Sequence, residues 1–269
     1  MTDAHCHPWD LSKYLKDAEK ERRETKTTVA GSSWNRDQFI YNEGLAKKAD
    51  AEGAPSVFCC FALHPQLSED VSFSPAAGTE LLWSLAAEGR LDAVGETGFD
   101  LYSNEYKAGE NIQDEMFQSH LDAASHYMLP MVLHVRKAMH KIFPFTPKFK
   151  KLPAIVFHSW SGTMGEAEAL LRKGVNAYFS FGTVILKNHK EAIACAASLP
   201  AERLLFETDA PYQPLRGGSF SSWQDLAVIC EGIAALRMEA GSPCSTSEEL
   251  QKQTDANFLA VFSRLGNPN

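Results

Sequence analysis

Eight short apolar runs recur along the chain, and each is followed by a longer stretch whose apolar residues keep helical spacing. The runs cover residues 2–6, 27–31, 56–63, 91–96, 130–134, 154–158, 176–181 and 204–208, and the stretches between them include 80–88, 112–126, 165–173 and 189–198. In the second of these stretches Ile112, Met116, Leu121 and Ala124 trace one face, while Gln113, Asp114 and Gln118 fall opposite, the period of an α-helix. Strands alternating with helices predict a parallel sheet, and eight such units close into a (β/α)8 barrel of the TIM type. The competing architecture is an open doubly wound sheet, but neither G-x-G-x-x-G nor G-x-x-x-x-G-K-[ST] occurs. There is no internal repeat, low-complexity tract or linker, so residues 1–269 read as one barrel domain. Residues 213–222, rich in Gly and Ser, read as a long loop after the last strand, and 246–262 as a closing helix.

Composition narrows what such a barrel can do. Hydrophobic residues make up 44% of the chain and charged residues 22%, enough for a large core and unlike a disordered chain. The formal net charge of −8 gives no long-range attraction to a polyanion, which argues against tight binding of duplex DNA. Phosphodiester substrates stay open, because a bound divalent cation can dominate the local field. Six cysteines at positions 6, 59, 60, 195, 230 and 244 form no C-x-x-C pair and sit mostly in apolar runs, the pattern of buried reduced thiols. No basic segment precedes an apolar run at the amino end, and no stretch approaches the ~20 apolar residues that cross a bilayer. A cytoplasmic enzyme, with no membrane association and no obligate protein partner, is expected.

Polar residues of metal-ligand type fall where the predicted strands end. His5 and His7 flank Cys6, and alternation by two places both imidazoles in the barrel mouth, with Cys6 toward the helices. Glu96 closes the fourth strand, His134 the fifth and His158 the sixth, and Asp209 closes the eighth. A lone buried histidine is more often a hydrogen-bonded core residue than a ligand. Six such residues at matching strand ends, in a fold whose active sites lie at that face, point instead to a metal centre. Four imidazoles and two carboxylates suit Zn²⁺, Mn²⁺ or Mg²⁺ and suffice for two divalent ions.

The chain resembles the TatD-type metal-dependent hydrolases, whose members are mostly described as deoxyribonucleases. The resemblance rests on Asp3-Ala4-His5-Cys6-His7, Leu63-His64-Pro65, Gly95-Glu96-Thr97-Gly98-Phe99-Asp100 and His134-Val135-Arg136. It continues through His158-Ser159-Trp160-Ser161-Gly162, Glu207-Thr208-Asp209-Ala210-Pro211-Tyr212 and Asn257-Phe258, in order along nearly the whole chain. It implies that His5, His7 and Asp209 hold one metal, that His134 and His158 hold the other, and that Glu96 bridges them. It also implies a shared water as nucleophile, with Asp209 orienting it or taking its proton, and a nucleic-acid substrate such as DNA ends or single strands. The family usually shows a proline-rich stretch, Arg-Gly and then Asn-Pro after the tyrosine. Here Arg216-Gly217 is kept, but Asn-Pro is missing, and Trp160 stands in the turn after His158. Those loops line the pocket, so the rim is altered while the ligands are intact.

Other residues carry two readings each. His64 either contacts a phosphate oxygen, as the resemblance suggests, or caps the strand that Pro65 ends. Arg136 either clamps a phosphate or forms an ion pair at the rim. Glu207 shares the parity of Asp209, so it either supports a ligand from one layer deeper or forms a structural ion pair. Tyr102, Tyr212 and Trp160 either stack on a base or sugar or pack in loops. Lys137, Lys141, Lys148, Lys150 and Lys151 either track a nucleic-acid strand or form a solvated helix face. His120, His126, His140 and His189 read as surface residues of helices. Hydrolysis of a small amide, ester or lactone, and a barrel that binds without catalysis, are the alternative functions.

Overall fold

A computed structural model describes residues 1–70 and 72–263. Among these residues one sheet holds eight strands in chain order: β1 (Thr2–Cys6), β2 (Thr28–Gly31), β3 (Val57–Phe61), β4 (Ala93–Asp100), β5 (Met131–Arg136), β6 (Ile155–Phe157), β7 (Ala177–Phe181) and β8 (Leu204–Phe206). Each pairs in parallel with the next. Helices follow the strands around the outside, giving the TIM-type (β/α)8 fold.

The first and last strands meet at a seam. The Asp209 N–H donates to the His5 carbonyl at 3.0 Å, and the His7 N–H donates to the Ala210 carbonyl at 2.7 Å. Asp3 stitches the seam from inside. Its carboxyl accepts from the Thr208 hydroxyl at 2.6 Å, the Thr208 N–H at 3.0 Å and the His5 N–H at 3.2 Å. Burial pushes the Asp3 pKa up to about 8 against the pull of those donors.

Ala4, Ala30, Ala93, Val132, Val156 and Leu205, one from each of six strands, meet in a buried cluster that Phe258 and Phe262 of the last helix (Ser247–Phe262) join. A larger core between sheet and helices contains Phe61, Phe99, Phe117, Phe149, Phe179 and Phe206.

Two irregularities break the alternation of side chains. In β1 the register shifts between Asp3 and Cys6, and in β4 between Gly95 and Thr97, each strand carrying one residue more than its partner. Glu96 is the extra residue of β4. A Cβ at Gly95 would crowd the Val132 side chain, and one at Gly98 (φ 139°) would collide with the His134 carbonyl, so only glycine lets β4 lie this close to β5.

The strand limits differ from those expected. β4 continues four residues past Glu96, because its pairing with β5 runs on to Asp100 and Arg136. β6 and β8 end early, so His158 and Asp209 lie on loop starts. Extended backbone stops there as Ser159 (φ 45°) and Asp209 (φ 54°) turn left-handed. Among the described residues no helix is long and apolar enough to cross a membrane.

His120 is a correction: it is fully buried, not on the surface. Its Nε2 accepts from the Leu63 N–H at 2.8 Å, and its Nδ1–H donates to the Met116 carbonyl one turn earlier. The Leu63 contact requires the neutral ring, and burial, outweighing the Met116 bond, pushes its pKa down to about 4. A depressed folded value makes this contribution complete above the ordinary value of 6.5 and progressively lost as pH falls toward 4. That gap is worth roughly 3 kcal/mol. Urea unfolding midpoints should therefore drop between pH 7 and pH 4.5, and the part of that slope due to His120 should vanish in His120→Gln. An unchanged slope would show that this imidazole does not titrate with unfolding.

Candidate metal centre

Glu96 is the hub of the barrel mouth. It is 4% exposed, and its backbone N–H is anchored on Ser32 Oγ at 3.1 Å. Its two carboxylate oxygens face different partners. Oε1 lies 2.7 Å from His158 Nε2, 2.8 Å from His134 Nδ1 and 3.1 Å from His64 Nε2. Oε2 lies 3.1 Å from His5 Nε2 and 3.7 Å from His7 Nε2. Asp209 Oδ1 stands 3.5 Å and 3.4 Å from the same His5 and His7 nitrogens. The nitrogens also crowd one another, with His5 Nε2 and His7 Nε2 3.1 Å apart, and His134 Nδ1 and His158 Nε2 equally close.

The electrostatics are those of a concentrated ion cluster. Burial opposes ionisation of Glu96, but His158, His64, His5 and His134 outweigh it and hold the carboxyl well below the usual range. Asp209 is lowered in the same way, with burial opposed by His7, His5 and His158. Burial likewise opposes charge on His7, His134 and His158, yet the neighbouring carboxylates raise all three. At His64 burial prevails, and its pKa falls.

Five imidazole nitrogens converge on two carboxylates that have no protons to donate. Protonating every ring would set cations side by side, and neutral rings satisfy the crowded pairs only where one nitrogen of each pair keeps its proton. A metal ion removes that conflict, and the donor set is the one divalent ions take. Ligand atoms of His5, His7 and Glu96 all lie within 4.8 Å of each other, as do those of His5, His158 and Asp209, and those of His64, Glu96 and His134. His7 Nδ1 and His158 Nδ1 are buried without a hydrogen-bond partner, although Glu207 Oε1 stands 3.7 Å from the latter.

All six expected ligands thus meet in one place, and His64 joins them. Its Nδ1 also accepts from the Gln66 N–H at 3.2 Å, so it caps the turn after β3 while facing Glu96. Arg136 sits 3.7 Å over the Tyr102 ring, an exposed cation–π pair on the cavity wall. Tyr212 sets its ring edge-on to His7 and its hydroxyl 3.3 Å from Asp10. Glu207 is buried and accepts from the N–H and hydroxyl of Ser159 and from the Ser180 hydroxyl. Trp160 is packing: it is 2% exposed and lies against Phe157 and Phe179. Of the lysine run, Lys141 pairs with Glu110 and Asp114, and Lys148 with Asp122, which spends their charge locally. His140 and His189 are exposed, as expected of surface residues, and line the cavity.

Sequence reasoning passed over three residues. Asp100 Oδ2 lies 3.1 Å from His134 Nε2 and 2.8 Å from the Gln66 amide. Burial opposes its charge, but His134 and Gln66 bring its pKa to about 2. Its signal is visible once β4 is allowed to continue, since Asp100 is two residues past Gly98. Gln213, four residues after Asp209, donates to that carboxylate. Trp34, after β2, is 39% exposed and lines the cavity of about 1350 Å³ with Tyr102 and Tyr212. No ligand-type residue marks that loop, which is why it escaped notice.

The model of the family described as TatD related DNase matches residues 2–263. A Klebsiella pneumoniae (strain 342) protein named 3'-5' ssDNA/RNA exonuclease TatD is 29% identical over 204 residues, 74% of each chain. A Mycoplasma pneumoniae protein named as an uncharacterized metal-dependent hydrolase is 31% identical over 242 residues, 84% of this chain and 87% of that one. A solved TatD homologue from Escherichia coli K12 shares the fold, with a TM-score of 0.81 at 23% identity and 97% of each chain covered.

Asp100 supplies a test of the centre. A carboxylate on the far nitrogen of a ligating imidazole fixes its tautomer and orientation, and loss of such a partner costs about 10–100-fold in metal affinity. Asp100→Ala should therefore retain less metal than the parent protein after dialysis, read by elemental analysis at matched protein concentration. Equal metal content across a series of chelator strengths would refute the role.

Proposed function

Because the chain belongs to the TatD-related DNase family of metal-dependent hydrolases, we propose that it cleaves phosphodiester bonds in nucleic acid, at DNA ends or in single strands, with two divalent cations. The observation that carries this reading is the division of Glu96, whose two oxygens face separate groups of imidazoles. A shared carboxylate with that split suits a bridge between two ions. His5, His7 and Asp209 would hold one ion and His134 and His158 the other, with His64 within reach of the second. Bound there, Zn²⁺, Mn²⁺ or Mg²⁺ would supply Lewis acidity, activating water and drawing electron density from a phosphoryl oxygen.

The chain's own groups do the rest. Asp209, kept ionised and pointing Oδ1 into the centre, orients the attacking water and takes its proton. His64 and Arg136 bind phosphate oxygens, Arg136 with its guanidinium plane held by Tyr102. Tyr212 borders the reacting group beside His7, and Glu207 steadies the His158 side through Ser159. The exposed rings of Trp34, Tyr102 and Tyr212 favour unpaired bases, whose faces are free to stack, over a closed duplex. The formal charge of −8 also argues against a broad duplex-binding surface. The six cysteines are free thiols, five of them buried, which supports a reducing cytoplasmic setting.

The test is direct. Protein supplied with Mn²⁺ or Mg²⁺ should shorten an end-labelled single-stranded oligonucleotide, and a chelator should stop it. Glu96→Ala should slow cleavage by more than about a hundredfold, beyond the range for residues outside the ligand set. Metal-replete protein that degrades neither oligonucleotides nor a phosphodiester analogue would end this reading.

A further inference from the structure

Gln213 lies on the loop after β8, and its side chain reaches back to the centre. Nε2 is 2.7 Å from Asp209 Oδ2 and 2.6 Å from Ser159 Oγ. A carboxylate only accepts hydrogen bonds, so the NH2 end of the amide must face Asp209, and its other N–H is then committed to Ser159. Ser159 passes the line on, giving its hydroxyl proton and backbone N–H to Glu207 Oε1 at 2.8 Å and 2.7 Å. That oxygen stands 3.7 Å from His158 Nδ1. The two N–H groups of the amide have separate acceptors, and both Ser159 donors meet on Glu207 Oε1, so one line of bonds joins Asp209 to the neighbourhood of His158 with Gln213 as its source.

The backbone agrees with this. Ser159, Asp209 and Gln213 all have left-handed backbone, at φ 45°, 54° and 56°, which non-glycine residues hold only where their surroundings over-determine it. The course of the loop does not need the Gln213 side chain. Its carbonyl already accepts from the Thr183 hydroxyl at 2.6 Å, and the Tyr212 N–H already donates to the Asp209 carbonyl at 2.7 Å. The amide group is left with work only at the carboxylate and Ser159.

We propose that Gln213 is a positioning residue that sets the rotation of the Asp209 carboxylate and ties it to the His158 side of the centre. By holding Oδ2 it leaves Oδ1 alone to face His5 and His7, so Asp209 offers a cation one oxygen in one orientation. Without the amide, Oδ2 has lost its donor and the carboxylate is free to turn. The proposal rests on the cation-binding reading above and not on which bond is hydrolysed.

Calorimetric titration of chelator-stripped protein with Mn²⁺, together with kinetics on a single-stranded oligonucleotide, tests it. Gln213→Leu and Gln213→Met keep similar length without a donor. Both should bind Mn²⁺ about 10–100-fold more weakly, with kcat reduced and KM within about twofold, because substrate contacts survive. Ser159→Ala keeps the direct bond to Asp209 and should lose less. The metal-free melting temperature should stay at the parent value in the Gln213 variants. Parent-like Mn²⁺ affinity and kcat in both would overturn the proposal, and so would a loss of affinity that tracks a fall in metal-free melting temperature, the mark of a collapsed loop. Absence of Mn²⁺ binding by the parent protein would instead overturn the cation-binding reading itself.

Discussion

A buried carboxylate ringed by imidazoles is the constraint around which this molecule is arranged. Taking Glu96 and Asp209 out of water costs several kcal/mol each unless positive charge or hydrogen bonds replace the lost solvent. Only groups from several different strands can surround one carboxylate so closely. The barrel delivers them, from β1, the β3 turn, β5 and the loop starts after β6 and β8, onto the residue supplied by β4. The supporting bonds follow from the same need. Ser32 anchors the Glu96 backbone, Asp100 steadies the far side of His134, and Glu207 fixes the loop that carries His158. Remove the closely packed sheet beneath, and these charges would have no reason to stay together.

The two ends of the barrel do different work. Toward one end the interior fills with small and branched side chains and the phenylalanines of the last helix. That part stabilises the fold. At the other end apolar packing gives way to ionisable groups and a wide cavity rimmed by exposed aromatic rings and Arg136. The acidic helix Glu110–Tyr127 takes up the charge of Lys141 and Lys148. On the proposed reading, attraction for a polyanion would act at the mouth, through bound cations and the Arg136 guanidinium.

Much of this was legible in the chain of letters. Eight apolar runs spaced by helical patterns imply the barrel, and ligand-type residues at the run ends imply the centre, because both depend on local periodicity. The bulges were not legible. Simple alternation carries no sign that Glu96 is an extra residue, although Gly95 and Gly98 on either side of it are the trace of strands that approach closely. A fourth strand that ends at Glu96 gives Asp100 no inward place, although it stands in the Gly95–Asp100 segment. His120 misled for a different reason: one polar residue on a helix has the same pattern whether it meets water or a backbone N–H from another element. Gln213 and Trp34 depend on how loops fold back, which no periodicity records.

The seam between β1 and β8 has a consequence for how the protein comes into being. Asp3 bonds to Thr208, and His5 accepts from Asp209, across more than two hundred positions of chain. During synthesis His5 and His7 emerge before Glu96 and long before Asp209, so a growing chain carries these histidines well ahead of the carboxylates they face. Contacts this distant form late and slowly. The pocket is therefore complete only when the circle of strands shuts and Asp209 comes to lie beside His5.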